Sequence, residues 1–149
     1  LKKLREQVGE YLLAAHAALD KQAEDVVVVD LRSLSSVTDF FVICTAGSGR
    51  QITALKDHID AVLSQRGYRV WHTEGEASAG PARGFTPYHG GSRGTGFTHE
   101  TQWVLLDYGD VVMHLMDQQA RAFYQLEQLW ADAPRVPLAQ PQPQSPSSR

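Results

Sequence analysis

The sequence predicts an α/β fold. Three observations carry that reading. Two runs rich in β-branched residues, "DVVVVD" (25–30) and "DFFVICTA" (39–46), have the composition of strands. A stretch of helical period follows the second run directly. A third short strand pattern follows that helix, and strand, helix, strand in this order makes a parallel crossover unit.

The elements follow in chain order. Residues 2–21 read as an amphipathic helix, with Leu4, Val8, Leu12, Ala15 and Leu19 recurring every three or four positions. "DVVVVD" has no polar alternation, so it reads as a central strand buried on both faces. "LRSLSSVT" is a polar loop before the second strand. "GSGRQ" (47–51) then switches the chain to a helix, with Ser48 as N-cap and Gly67 as C-terminal stop. Ile52, Leu55, Ile59, Val62 and Leu63 form its apolar face. "YRVWHT" (68–73) is the third strand.

Residues 75–101 break the pattern, with seven glycines and two prolines in 27 residues. They read as a Gly-rich insertion, at about 76–101, into a single domain that spans 1–133. "WVLLDYGDVVMHLM" (103–116) reads as a hairpin. Asp117 caps a last helix, 118–131, with Ala120, Phe123, Leu126 and Trp130 inside. From Pro134 to Arg149 a Pro/Gln/Ser tail has no means of burying a core and reads as disordered.

Composition bounds the function. The chain has 149 residues, 42% hydrophobic and 21% charged, as in a globular domain. No apolar run approaches the roughly 20 residues that span a bilayer. Glu6, Glu10 and Asp20 are wrong for a signal peptide, and the single Cys44 fits a reducing compartment, so a cytoplasmic location is expected. Residues 1–74 and 102–133 carry 10 Lys/Arg against 15 Asp/Glu, a balance of −5. That body excludes nucleic-acid binding through phosphates. It remains suited to a basic protein that itself sits on nucleic acid.

Three chemistries are tested and find little. A Gly-Ser pair at a helix N-terminus can hold a phosphate, but "GSGR" is neither a Walker loop nor a dinucleotide fingerprint. Nucleotidyl transfer also needs carboxylates on a neighbouring strand, and "YRVWHT" has none. None of the six histidines is paired at i, i+4, and no cysteine pair exists, which speaks against a metal site. Cys44 sits in an apolar strand as a small hydrophobe.

The hairpin carries the sharper question. A two-residue Tyr108-Gly109 turn sets Asp107 across from Asp110, Leu106 across from Val111 and Val104 across from Met113. The last two pairs make an apolar core face. The other face holds Trp103, Leu105, Asp107, Asp110, Val112 and His114. Either a helix or the insertion covers this mixed face, or it is a contact patch with an aromatic anchor and an acidic rim.

"DVVVVDLRSLSSVTDFFVICTAGSGRQ" together with "WVLLDYGDVVMHLMDQQARAFYQLEQLW" resembles the ribosomal silencing factor, or Iojap, family. The matching pieces are Ser36, Thr38 and Asp39 before the second strand, Ser48 and Gln51 at the turn, and Glu74-Gly75. They continue with Trp103, Leu105, Asp107, Gly109, Asp110 and His114 in the hairpin, and with Arg121, Tyr124, Leu126, Glu127, Leu129 and Trp130 in the last helix. The resemblance implies a central mixed sheet flanked by helices, a nucleotidyltransferase-like fold without the catalytic carboxylates. It implies no enzyme activity, no cofactor, no metal and no catalytic residue.

It further implies binding to the large ribosomal subunit through its fourteenth ribosomal protein, which blocks joining of the small subunit and represses translation under nutrient limitation. A homodimer when free is expected, with no direct DNA binding and no membrane. The expected docking residues are Trp103, Leu105, Asp107, Asp110, Ser36, Thr38 and Asp39. A large-subunit assembly factor and a nucleotide-binding or nucleotidyltransferase-type enzyme are the alternatives. The insertion departs from the family pattern and enters beside the docking face.

Overall fold

The computed structural model describes residues 2–75 and 102–138, with side chains from residue 9 onward. The expected insertion at 76–101 and the tail beyond 138 lie outside the described residues. Ten elements follow one another: α1 (Lys2–Asp20), β1 (Glu24–Asp30), β2 (Phe40–Ala46), α2 (Gly49–Gln65), β3 (His72–Glu74), β4 (Trp103–Asp107), β5 (Val111–Asp117), α3 (Gln118–Tyr124), α4 (Leu126–Leu129) and β6 (Arg135–Val136). The fold is α/β, with a mixed six-stranded sheet flanked by helices, in the order β3-β4-β5-β2-β1-β6. β2 and β5 pair in parallel, and the other neighbours are antiparallel.

The crossover is present but split. β3 runs parallel to β2, as the strand–helix–strand order requires, yet β5 and β4 lie between them. β3 is also shorter and later than 68–73, because its outer side is a sheet edge and its side chains are exposed. β1 is buried on both faces, Val26 and Val28 on one and Val29 on the other. It is less central than its composition suggested, with only the two-residue β6 beyond it.

The larger core lies between one sheet face and α1 with α2. Val42, Cys44, Val104, Leu106, Met113 and Leu115 face Ile52, Leu55, Ile59 and Leu63. α1 presents Tyr11 and four alanines, Ala14, Ala15, Ala17 and Ala18, and such small residues let a helix approach closely. The smaller core lies on the opposite face, where Val29, Ile43 and Met116 meet Ala120, Leu126 and Ala133.

Three sequence expectations need correction here. The last helix is two helices, because Gln125 adopts a left-handed conformation (φ 45°). Leu126 then turns inward while Phe123, expected inside, is 74% exposed. The tail does not begin at Pro134, since Arg135 and Val136 pair with Val29 and Val28, and Leu138 packs on the main core. The Pro134 carbonyl accepts from Asp30 N at 2.8 Å, which starts this pairing.

Gly75 explains the "E-G" pair. Its φ is +83°, and a Cβ there would lie 2.2 Å from the Trp103 carbonyl oxygen. Only glycine lets β3 end so close to the start of β4.

Candidate partner-binding groove

The hairpin's register differs from expectation. Asp107 pairs with Val112, Leu105 with His114 and Trp103 with Met116. Tyr108 N donates to the Val111 carbonyl at 2.9 Å, so Tyr108 faces Val111 and the turn is centred on Gly109-Asp110, one residue later than expected. Asp107 and Asp110 are therefore not opposite one another, and no cross-strand carboxylate pair needs explaining. The Asp107 carboxylate accepts from Gly109 N at 2.8 Å inside the turn.

Asp110 holds the turn by its backbone. Its carbonyl oxygen accepts from Asp39 N (2.9 Å), Phe40 N (3.0 Å) and the Thr38 hydroxyl (3.0 Å). The loop before β2 is thus clamped to the hairpin. Thr38 is buried by this role and Ser36 is exposed beside it. The carboxylates of Asp110 and Asp39 act on Glu10 of α1. Burial first, then these two negative charges, push the Glu10 carboxyl from 4.5 up to about 7.

The mixed face divides into two halves. At one end α3 and α4 cover it. Trp103 lies 4.8 Å from Tyr124 and donates its indole N–H to His114 Nδ1 at 3.1 Å. At the other end the face stays open as a groove of about 390 Å³, lined by Leu31, Val37, Phe41, Leu105, Val112 and Trp130. Asp107, Gly109, Thr38, Ser35 and His114 complete its wall. Helices therefore cover half of this face, and the other half is an open groove.

Of the seven expected docking residues, Leu105, Asp107 and Thr38 line the groove. Asp110, Asp39 and Ser36 belong to the clamped turn and loop beside it. Trp103 packs under the helices. Two exposed residues had not been singled out. Val37 is 86% exposed at the rim, and Trp71, 78% exposed, sits over Gly109 at 3.4 Å from where its Cβ would be. The signal for both was available, an apolar residue in a polar loop and a tryptophan at the start of an edge strand.

The strand-to-helix turn around Ser48 is occupied with structural bonds. The Ser48 hydroxyl accepts from Gln51 N at 3.1 Å, and Gln51 Oε1 accepts from Gly47 N at 2.6 Å. Gln51 Nε2 donates to the carbonyls of Lys21 and Gln22. "S-x-x-Q" is a helix cap that also ties α2 to the loop after α1. The cleft beside it is lined by one carboxylate, Asp117, whose oxygens accept from Ala120 N and Gln102 N. Among the described residues no group of three His, Cys, Asp or Glu side chains could hold a metal ion. Burial pushes the Cys44 thiol up to about 12, which leaves it a protonated core group. Among the described residues no helix is long and apolar enough to cross a membrane.

The fold and this groove define a mixed-sheet α/β domain with an apolar recess that carries Asp107 in its wall. Residues 5–149 match the family model described as "Ribosomal silencing factor during starvation". The ribosomal silencing factor RsfS of Halalkalibacterium halodurans is 35% identical over 126 residues, covering 85% of this chain and 89% of the relative. That of Bacillus subtilis is 34% identical over 126 residues, covering 85% and 88%. The chloroplastic Iojap protein of Zea mays is 32% identical and spans 83% of this chain, which corresponds to 44% of that longer relative. A crystal structure from Chromobacterium violaceum superposes with a TM-score of 0.62 at 25% identity, covering 89% of this chain and 92% of that one. One from Bacillus halodurans gives 0.59 at 31%, covering 86% and 96%. The chain belongs to the ribosomal silencing factor family.

Proposed function

We propose that this chain acts in the cytoplasm as a steric silencer of ribosomes. It docks through the groove on a basic protein of the large subunit's joining face, the fourteenth in the resemblance, and keeps the small subunit away. The reading needs no catalysis. The observation that carries it is the groove itself, an apolar recess with Asp107 in its wall, on a body with a balance of −5. Apolar contacts supply affinity, and Asp107 with the net negative charge of the body favours a basic protein while repelling bare RNA phosphates.

Nucleotidyl transfer finds no support at Ser48, whose hydroxyl caps α2 and whose cleft offers Asp117 alone as carboxylate. The test is co-sedimentation of the full chain with purified large and small subunits. Pelleting with the large subunit alone, lost on Asp107→Lys/Asp110→Lys, is the expected result. Pelleting with neither subunit overturns the reading.

A further inference from the structure

The groove contains one polar group that its structural role does not explain. His114 is 3% exposed and lines the groove wall. Its Nδ1 accepts the Trp103 indole N–H, and an indole nitrogen can only donate. Burial pushes the imidazole down from 6.5 to about 3, so the ring is neutral. A neutral ring that accepts at Nδ1 carries its proton on Nε2. That Nε2–H is buried and has no hydrogen-bond partner. A buried orphan donor costs free energy in the free protein and recovers it when an acceptor arrives.

We propose that His114 is the hydrogen-bond donor by which the groove recognises its protein partner, through Nε2–H to a main-chain carbonyl of an apolar segment seated there. This deepens the silencing reading and rests on it. The wall determines the occupant's chemistry. Leu31, Phe41, Leu105, Val112 and Trp130 call for an apolar segment. The Asp107 carboxylate in the same wall disfavours a carboxylate or phosphate as the acceptor, which leaves a neutral carbonyl, and it favours a basic side chain next along the segment. Phe41, whose ring meets His114 edge-on at 4.6 Å, and Trp130 line the same groove and are only partly buried, and the proposal requires these side chains to move aside for the carbonyl.

Two substitutions separate recognition from structure. His114→Asn keeps an acceptor near Nδ1 for Trp103 and removes the Nε2 donor. His114→Gln places an amide N–H near Nε2 and gives up the Nδ1 acceptor. The full chain and both variants are titrated against purified large ribosomal subunits by co-sedimentation, with thermal unfolding measured in parallel. Nitrogen-15 NMR of the imidazole is recorded on the free protein. The Nε2–H tautomer is expected. His114→Asn is expected to weaken binding about tenfold or more, and His114→Gln to stay within about threefold of wild type.

An Nδ1–H tautomer, equal binding by His114→Asn and wild type, or losses in both variants that track their stability would each overturn the inference. In those three cases wild type still pellets with the large subunit, so the silencing reading stands. No pelleting of wild type with that subunit overturns both.

Discussion

The Trp103 indole N–H reaches His114 Nδ1 at 3.1 Å, from one hairpin strand to the other and on the same sheet face. The contact marks the boundary between the half of that face packed under α3 and the half left open as a groove. On the covered side Trp103 meets Tyr124, and on the open side His114 meets Phe41.

Trp103→Phe keeps a ring against Tyr124 and removes the donor. His114 Nδ1 then becomes a second orphan on a buried imidazole. A loss of about 1–3 kcal/mol in urea unfolding is expected. A change within about 0.5 kcal/mol, the size of an ordinary surface substitution, would show that the bond is not made in solution.

Glu10 gives the fold a pH dependence of known sign. Its folded pKa of about 7 lies above the ordinary 4.5, so the stability it allows is present below about pH 4.5 and is lost as pH rises through about 7. His114 works in the opposite direction. Its folded value of about 3 lies below 6.5, so its contribution is complete above about pH 6.5 and falls away toward pH 3. The groups facing Glu10 are Asp39 and Asp110, with the Tyr108 hydroxyl nearby and itself bonded to Asp60. Glu10→Gln is expected to add about 2 kcal/mol at pH 8 and little at pH 4.5. Melting curves at the two pH values decide it, and an equal gain at both would contradict the assignment.

Gly75→Ala meets both an unfavourable φ and the Trp103 backbone. The expected consequence is local. β3 detaches from β4, and the amides of β3 lose protection from hydrogen exchange while those of β5 keep theirs. Uniform loss of protection over the sheet would show that β3 is integral to the global fold.

Gln51→Ala should cost about 1–2 kcal/mol, since one side chain closes the α2 cap and bonds two carbonyls of the loop after α1. It should leave binding to the large subunit unchanged. A selective loss of binding at unchanged stability would move the docking surface to the Ser48 end of the sheet.

Much of this was readable in the residues, for identifiable reasons. The hairpin faces came out right although the register was wrong, because expected and observed pairings differ by two positions and side chains alternate with period two. The carboxylate pair at Asp107 and Asp110 did not survive that same shift. Ser48 and Gly67 marked the ends of α2 because capping is local chemistry. The break at Gln125 was hidden, because nothing near it competes with helix except Leu126 turning toward the smaller core. β6 was hidden for a similar reason, since Arg135 and Val136 are ordered by an edge of β1 that lies far away in sequence. The groove was half visible. Leu105 and Asp107 could be placed on one face from alternation alone, whereas Leu31, Val37 and Trp130 reach it only through tertiary packing.

The most direct test of the silencing account is subunit joining itself. Purified small and large subunits are mixed, association is followed by light scattering, and the full chain is added first to the large subunit. Wild type is expected to abolish joining. Val37→Lys, a rim substitution at an 86% exposed position that leaves the core untouched, is expected to restore most of it. Joining that proceeds normally on large subunits saturated with the wild-type chain would contradict the account.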